Sequence, residues 1–102
     1  MSAAMISESG AGQLELSGVL DFRTGPALRV SGQKLINNSQ TVDLLLDCSA
    51  VEKSSSVGVS LLLAFMRDAA KAGKNITMRG LPADMQQIAE VSGLDGLLPL
   101  QS

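Results

Sequence analysis

Ser54, Ser55 and Ser56 stand in a row at the mouth of the apolar run VGVSLLLAF, with Lys53 just before them. A serine nucleophile needs a base within hydrogen-bond reach and a group to orient that base. The chain has no histidine, so a Ser–His–Asp arrangement is impossible. Lys53 is a neighbour, but adjacency on a loop is poor evidence for a buried, activated amine. Phosphate cradling fares no better: no G-x-x-x-x-G-K-[ST] occurs, and SGAG (9–12) falls between two strand-like runs instead of opening a helix. Asp21 and Asp47 resemble an acid–base pair only on paper, since each reads as the brace of a turn. Met66, Met78 and Met85 read as core packing. Cys48 is the single cysteine; it has no disulfide partner, and without histidine a zinc site is not expected. The expectation is a chain that is not an enzyme and holds no cofactor or metal.

Three readings of the serines stay open. One serine at an N-cap accepts from the first-turn N–H groups and contributes roughly 1 kcal/mol. A phosphoserine at a helix N-terminus would be favoured by the dipole and would add about −1.5 to −2 charge. The third reading is a polar docking face, because one cap is all a helix needs and three hydroxyls leave a surplus on the turn.

The elements that must position these residues can be read from composition and periodicity. A chain of 102 residues, 45% apolar, has room for one core, read as one domain over 1–102. Two Phe and no Trp or Tyr make that core aliphatic. A net charge of −2 argues against nucleic acid, which calls for a basic stripe. Val57–Met66 is about half of the ~20 residues that cross a bilayer, so no direct membrane insertion is expected. MSAAMISESG has neither a basic n-region nor a sustained apolar h-region. The chain is expected to be reduced and cytoplasmic.

Leu14 and Leu16 alternate with polar residues in QLELSGVL, the period of a half-buried strand. Ala4–Ser7 would pair with it as a hairpin across SGAG. Thr24-Gly25-Pro26 starts a helix with Ala27, Leu28, Val30, Leu35 and Ile36 inward and Gly32 as a weak point. Val42–Cys48 suits a strand covered on both faces. Val59, Leu62, Leu63, Met66 and Ala70 recur at helical spacing, and Gly73 suits the stop. NITMR (75–79) is a further strand, Pro82 opens a helix through Val91, and GLDGLLPL ends in a turn or helical piece. Strand, helix and strand from Val42 to Arg79 predict a right-handed crossover with parallel strands. The expected fold class is α/β, a mixed sheet with helices mainly on one face. Phe22, in the loop before the first helix, is either an exposed partner anchor or folded back on the core. Phe65 is expected in the core or at its edge, and Cys48 is expected to be inert.

GVLDFRTG (18–25) and LLLDCSAVEKSSSVGVSLLL (44–63) resemble the STAS domain, the fold of anti-sigma factor antagonists, whose pattern is G-x-L-D, then D-[ST]-x-G-[LVI] at the start of the second helix. On this resemblance Asp21 matches the first aspartate. Ser56 falls on the hydroxyl position phosphorylated in the sporulation-type antagonists, Gly58 and Val59 follow in register, and Ser55 stands where aspartate is usual. GLPADMQQIAEVSGLDGLLP (80–99) is similar to the ending of the MlaB-type family, the STAS subunits of the Mla phospholipid-transport system. The resemblance implies a single STAS domain that binds the ATPase of an inner-membrane ABC transporter, in a complex with permease and substrate-binding subunits. It would be peripheral to the membrane through that complex. The expected docking residues are Asp21, Phe22, Ser54, Ser55, Ser56, Val57 and Ser60. The alternative it implies is an anti-sigma factor antagonist switched by phosphorylation of Ser56.

Overall fold

Residues 4–101 are described by a computed structural model; residues 1–3, part of the stretch read for a leader, and Ser102 lie outside them. The alternation in QLELSGVL becomes β2 (Gln13–Leu20), antiparallel to β1 (Met5–Gly10). β1 runs past the expected Ser7, because Ala11 and Gly12 alone make the turn. Then follow α1 (Gly25–Asn38), β3 (Asp43–Ser54), α2 (Ser56–Lys71), β4 (Asn75–Arg79) and α3 (Ala83–Val91). The sheet order is β1-β2-β3-β4, with β2/β3 and β3/β4 parallel. This is the mixed-sheet α/β architecture that periodicity predicts. The C-terminal piece is a turn that ends against the sheet: Leu98 is buried and Leu100 forms a parallel bridge to Met78.

Three expectations need correction. First, β3 does not stop near Cys48 but continues to Ser54. Its register against β2 shifts twice, each time with an extra residue on β3. Such bulges bend a strand without ending it. Asp47 braces the first, accepting from the Ser49 N–H (2.9 Å), the Ser49 hydroxyl (2.6 Å) and Arg79 (3.3 Å). Second, β3 is covered on one face only. Leu44, Leu46 and Cys48 are buried, while Leu45 and Asp47 between them are half-buried. The core therefore lies on a single side of the sheet, which is where the helices pack.

Third, α2 is buried more widely than one apolar stripe. Val59 and Leu62 are buried as expected, but Leu63 and Met66 are half-buried and Ala70 is exposed. A second strip, Leu61, Ala64, Phe65 and Asp68, is also buried, because α2 packs against both α1 and α3. In α1, Leu28 and Ile36 point inward, whereas Ala27 and Val30 are exposed. Gly32 is a close-packing position: a Cβ there would collide with the Phe65 ring, which is fully buried. Cys48 sits in the core, where burial and the nearby Asp47 charge push its thiol up to about 12. At neutral pH it is a small hydrophobe.

Leu62 is completely buried in this core. Leu62→Ala is expected to lower stability by about 3 kcal/mol through lost burial and a residual cavity, measured by urea unfolding. A loss below about 1 kcal/mol would mean the site collapses around the truncated side chain.

Candidate functional site

Both helices that follow β2 and β3 begin at the C-terminal end of the sheet, and the loop 21–24 lies before the first of them. Asp21 builds that loop. Its carboxylate accepts from the Arg23 N–H at 2.9 Å and the Thr24 N–H at 3.3 Å, while its own N–H donates to Thr24 Oγ1 at 3.0 Å. Thr24 Oγ1 in turn donates to the Val19 carbonyl at 3.0 Å. The loop is thereby locked, and it presents Phe22 outward with 75% of its surface exposed. Arg23 lies over the ring at 5.7 Å from its centroid. Asp21 thus braces a turn, as read, and Phe22 is not folded onto the core.

The three serines separate into three roles. Ser54 is buried at the end of β3; its hydroxyl donates to the Ser55 carbonyl at 2.8 Å and its N–H to Asp84 Oδ2 at 2.8 Å. Gly58 leaves room for it, since a Cβ at 58 would collide with the Ser54 hydroxyl. Ser54 is therefore no part of an exposed hydroxyl surplus. Ser55 is the N-cap of α2, accepting from the Val57 N–H at 3.2 Å. Ser56 is the first helical residue and is exposed. No hydrogen bond joins Lys53 to a serine among the described residues.

Phe22, before α1, and Val57 and Ser60, on α2, come together in the lining of a groove of about 400 Å³ between the starts of the two helices. Gly25, Pro26, Leu61 and Ala64 complete its apolar lining, and Arg29 supplies its one charge. Gly25 lets the helices approach, because a Cβ there would stand 2.8 Å from Val57 Cγ1. Asp21, Ser54 and Ser55 line a different cleft of about 330 Å³ beside Arg23 and Lys53. Six of the seven expected docking residues thus line two depressions, three in each, and the seventh, Ser56, is exposed on the helix start and lines neither.

Sequence reasoning missed Arg29, Asp68 and Asp84. Asp68 is 2% exposed on the buried strip of α2 and takes the Arg29 guanidinium, whose side chain is 35% exposed. A carboxylate seven residues after Leu61, at helical spacing with buried positions, was the available signal. Asp84, in the first turn of α3, ties that helix to the end of β3 through Ser54. Among the described residues no cluster of three or more metal-ligating side chains occurs, and no helix is long and apolar enough to cross a membrane.

At the start of the first β3 bulge, the bonds from the Ser49 hydroxyl and N–H, then Arg79, hold the Asp47 carboxyl below the ordinary value of 3.8 despite its partial burial. A carboxylate with a depressed folded pKa contributes stability above its unfolded value, and that contribution disappears as pH falls through the folded value. Ser49→Ala should raise the Asp47 pKa and weaken this dependence below about pH 4. A carboxyl NMR titration reads it; an unmoved Asp47 would mean that Arg79 and the backbone bond dominate.

No curated protein sequence matches this chain. Solved structures do. An anti-sigma factor antagonist from Mycobacterium paratuberculosis is 26% identical, with a TM-score of 0.76, over 96% of this chain and 83% of that one. The unphosphorylated anti-sigma factor antagonist SpoIIAA has a TM-score of 0.73 at 16% identity, over 98% of this chain and 89% of its own. Phosphorylated SpoIIAA of Bacillus has a TM-score of 0.66 at 17% identity, covering 98% and 92%. The two SpoIIAA structures share the fold. A family model described as "Mlab, STAS domain" matches residues 4–99, almost the whole chain, and the protein belongs to that STAS family.

Proposed function

We propose that this chain is the non-enzymatic STAS subunit of an inner-membrane phospholipid ABC transporter of the Mla type, which maintains outer-membrane lipid asymmetry. It binds the ATPase subunit and supports its assembly and activity. It is cytoplasmic and reaches the membrane through a complex that includes permease and substrate-binding subunits. The observation that carries this reading is Phe22: a locked loop holds a large aromatic in water at the rim of an apolar groove. Phe22 adjoins the apolar residues Pro26, Val57, Leu61 and Ala64, and a large aromatic on such a patch suits the anchor residues that dominate interfaces. The match to an MlaB-type family model supports the choice of partner. The test is affinity purification of the full chain from its source cell, where the ABC ATPase and its permease are expected to co-purify. Recovery of a sigma-regulatory kinase in their place would overturn the reading.

A second reading, an anti-sigma factor antagonist switched at Ser56, is favoured by one feature. Ser56 is exposed at the first position of α2, where a phosphate would meet the positive end of the helix dipole. Intact-mass measurement of the protein from growing cells tests it. A phosphate that localises to Ser56 would support the switch, and uniformly unmodified protein would remove it.

A further inference from the structure

The charge of this protein is unevenly placed. The whole chain is acidic, at −2, yet α1 and α2 carry four basic residues, Arg29, Lys34, Arg67 and Lys71, against the single acid Asp68. That acid is buried and already paired with Arg29. Among the described residues, these two helices therefore expose no carboxylate. Arg67 and Lys71 are exposed and follow Ser60 and Ala64 at helical spacing, which puts them on the continuation of the groove wall.

Arg29 is the charged member of the groove itself. Its bond to Asp68 uses one terminal nitrogen, and no further hydrogen bond of the guanidinium occurs among the described residues. A guanidinium has five N–H donors in a fixed fork. Asp68, almost inaccessible to water, orients that fork and leaves donors for a ligand at an apolar wall. An apolar pocket of Phe22, Pro26, Val57, Leu61 and Ala64 beside a pre-oriented guanidinium matches one kind of occupant: an apolar side chain with a carboxylate close to it.

Resting on the reading that the partner is the transporter's ATPase, we propose that the α1–α2 groove takes an acidic, amphipathic segment of that ATPase. Its apolar side chain sits against Phe22 and its carboxylate is bound by Arg29, with Asp68 as the positioning residue. Arg67 and Lys71 attract the acidic flank of the same segment.

The experiment uses the full chain co-expressed with the ATPase, with a benzoylphenylalanine photo-crosslinker at Ser60, an exposed residue of the groove wall. Cross-linked ATPase peptides are expected to contain Asp or Glu within a few residues of the attachment point. The double variant Arg29→Gln/Asp68→Asn removes both charges together, so neither is left buried and alone. It should fold, by thermal melt, and bind the ATPase roughly tenfold or more weakly, the loss for a hydrogen bond to a charged group. Arg67→Glu/Lys71→Glu should slow association and flatten its salt dependence. ATPase that binds and cross-links through a segment without acidic residues overturns this inference and leaves the proposed function standing. So does wild-type affinity in the folded double variant. Wild-type protein that captures no ATPase overturns both. Binding of the chain alone to phosphatidylglycerol vesicles, lost in Arg67→Glu/Lys71→Glu, would assign the basic face to a membrane and overturn the inference as well.

Discussion

Phe65→Ala is expected to lower the unfolding free energy by about 3–5 kcal/mol, the usual cost of removing a fully buried ring. Phe65 has no exposed surface, and its edge lies directly against Gly32 on α1. The contact makes a sharper test than the size of the loss. In the wild type, Gly32→Ala should destabilise by about 1–3 kcal/mol, because the added methyl overpacks the ring. Once Phe65 is alanine, the methyl meets no ring, and the same change should stabilise by up to about 1 kcal/mol through helix propensity. A double-mutant cycle in urea reads the change of sign. Simple additivity would show that the ring can move aside and that Gly32 does not govern the α1–α2 approach.

The second large effect is on binding. On the proposed function, Phe22→Ala should weaken capture of the ATPase by about a hundredfold, a loss of about 2.8 kcal/mol, of the size found at aromatic hot spots. Stability should change by less than about 0.5 kcal/mol, since the ring is mostly in water and truncation opens no cavity. Ser56→Glu should also fold, as a carboxylate in the first turn suits the helix dipole. In a docked interface, however, it would bury an unpaired charge and lose a comparable factor. Ser56→Ala should be near neutral for folding, because Ser55 is the residue that caps α2. Titrating each variant against the purified ATPase, with a thermal melt of each, checks the set. If Phe22→Ala and Ser56→Glu both fold and both retain wild-type affinity, the docking face lies elsewhere.

Much of the arrangement was legible in the residues, since strand and helix periods are local properties. Leu14 and Leu16 mark β2, Pro26 marks the start of α1, and Gly73, with φ of 71°, marks the stop after α2. The absence of histidine removed the common serine mechanism, and the G-x-L-D and SGLD stretches pointed to the family that the comparison then established. Other features had no local signature. The length of β3 depended on two bulges, which only pairing with β2 defines. Which serine is buried, which caps and which faces water followed from where that longer strand ended and from Asp84, thirty residues away, reaching the Ser54 N–H. Gly32 looked like a flaw in a helix until Phe65 of another helix was placed against it. The groove joins Phe22 and Arg29 to Val57, Ser60 and Ala64, residues separated by an intervening strand. Sequence period determined the elements because it reports each segment's own hydrogen bonding and burial. Tertiary structure alone decided the site, because the pairing of Arg29 with Asp68 and the gap between α1 and α2 exist only once the helices share a face of the sheet.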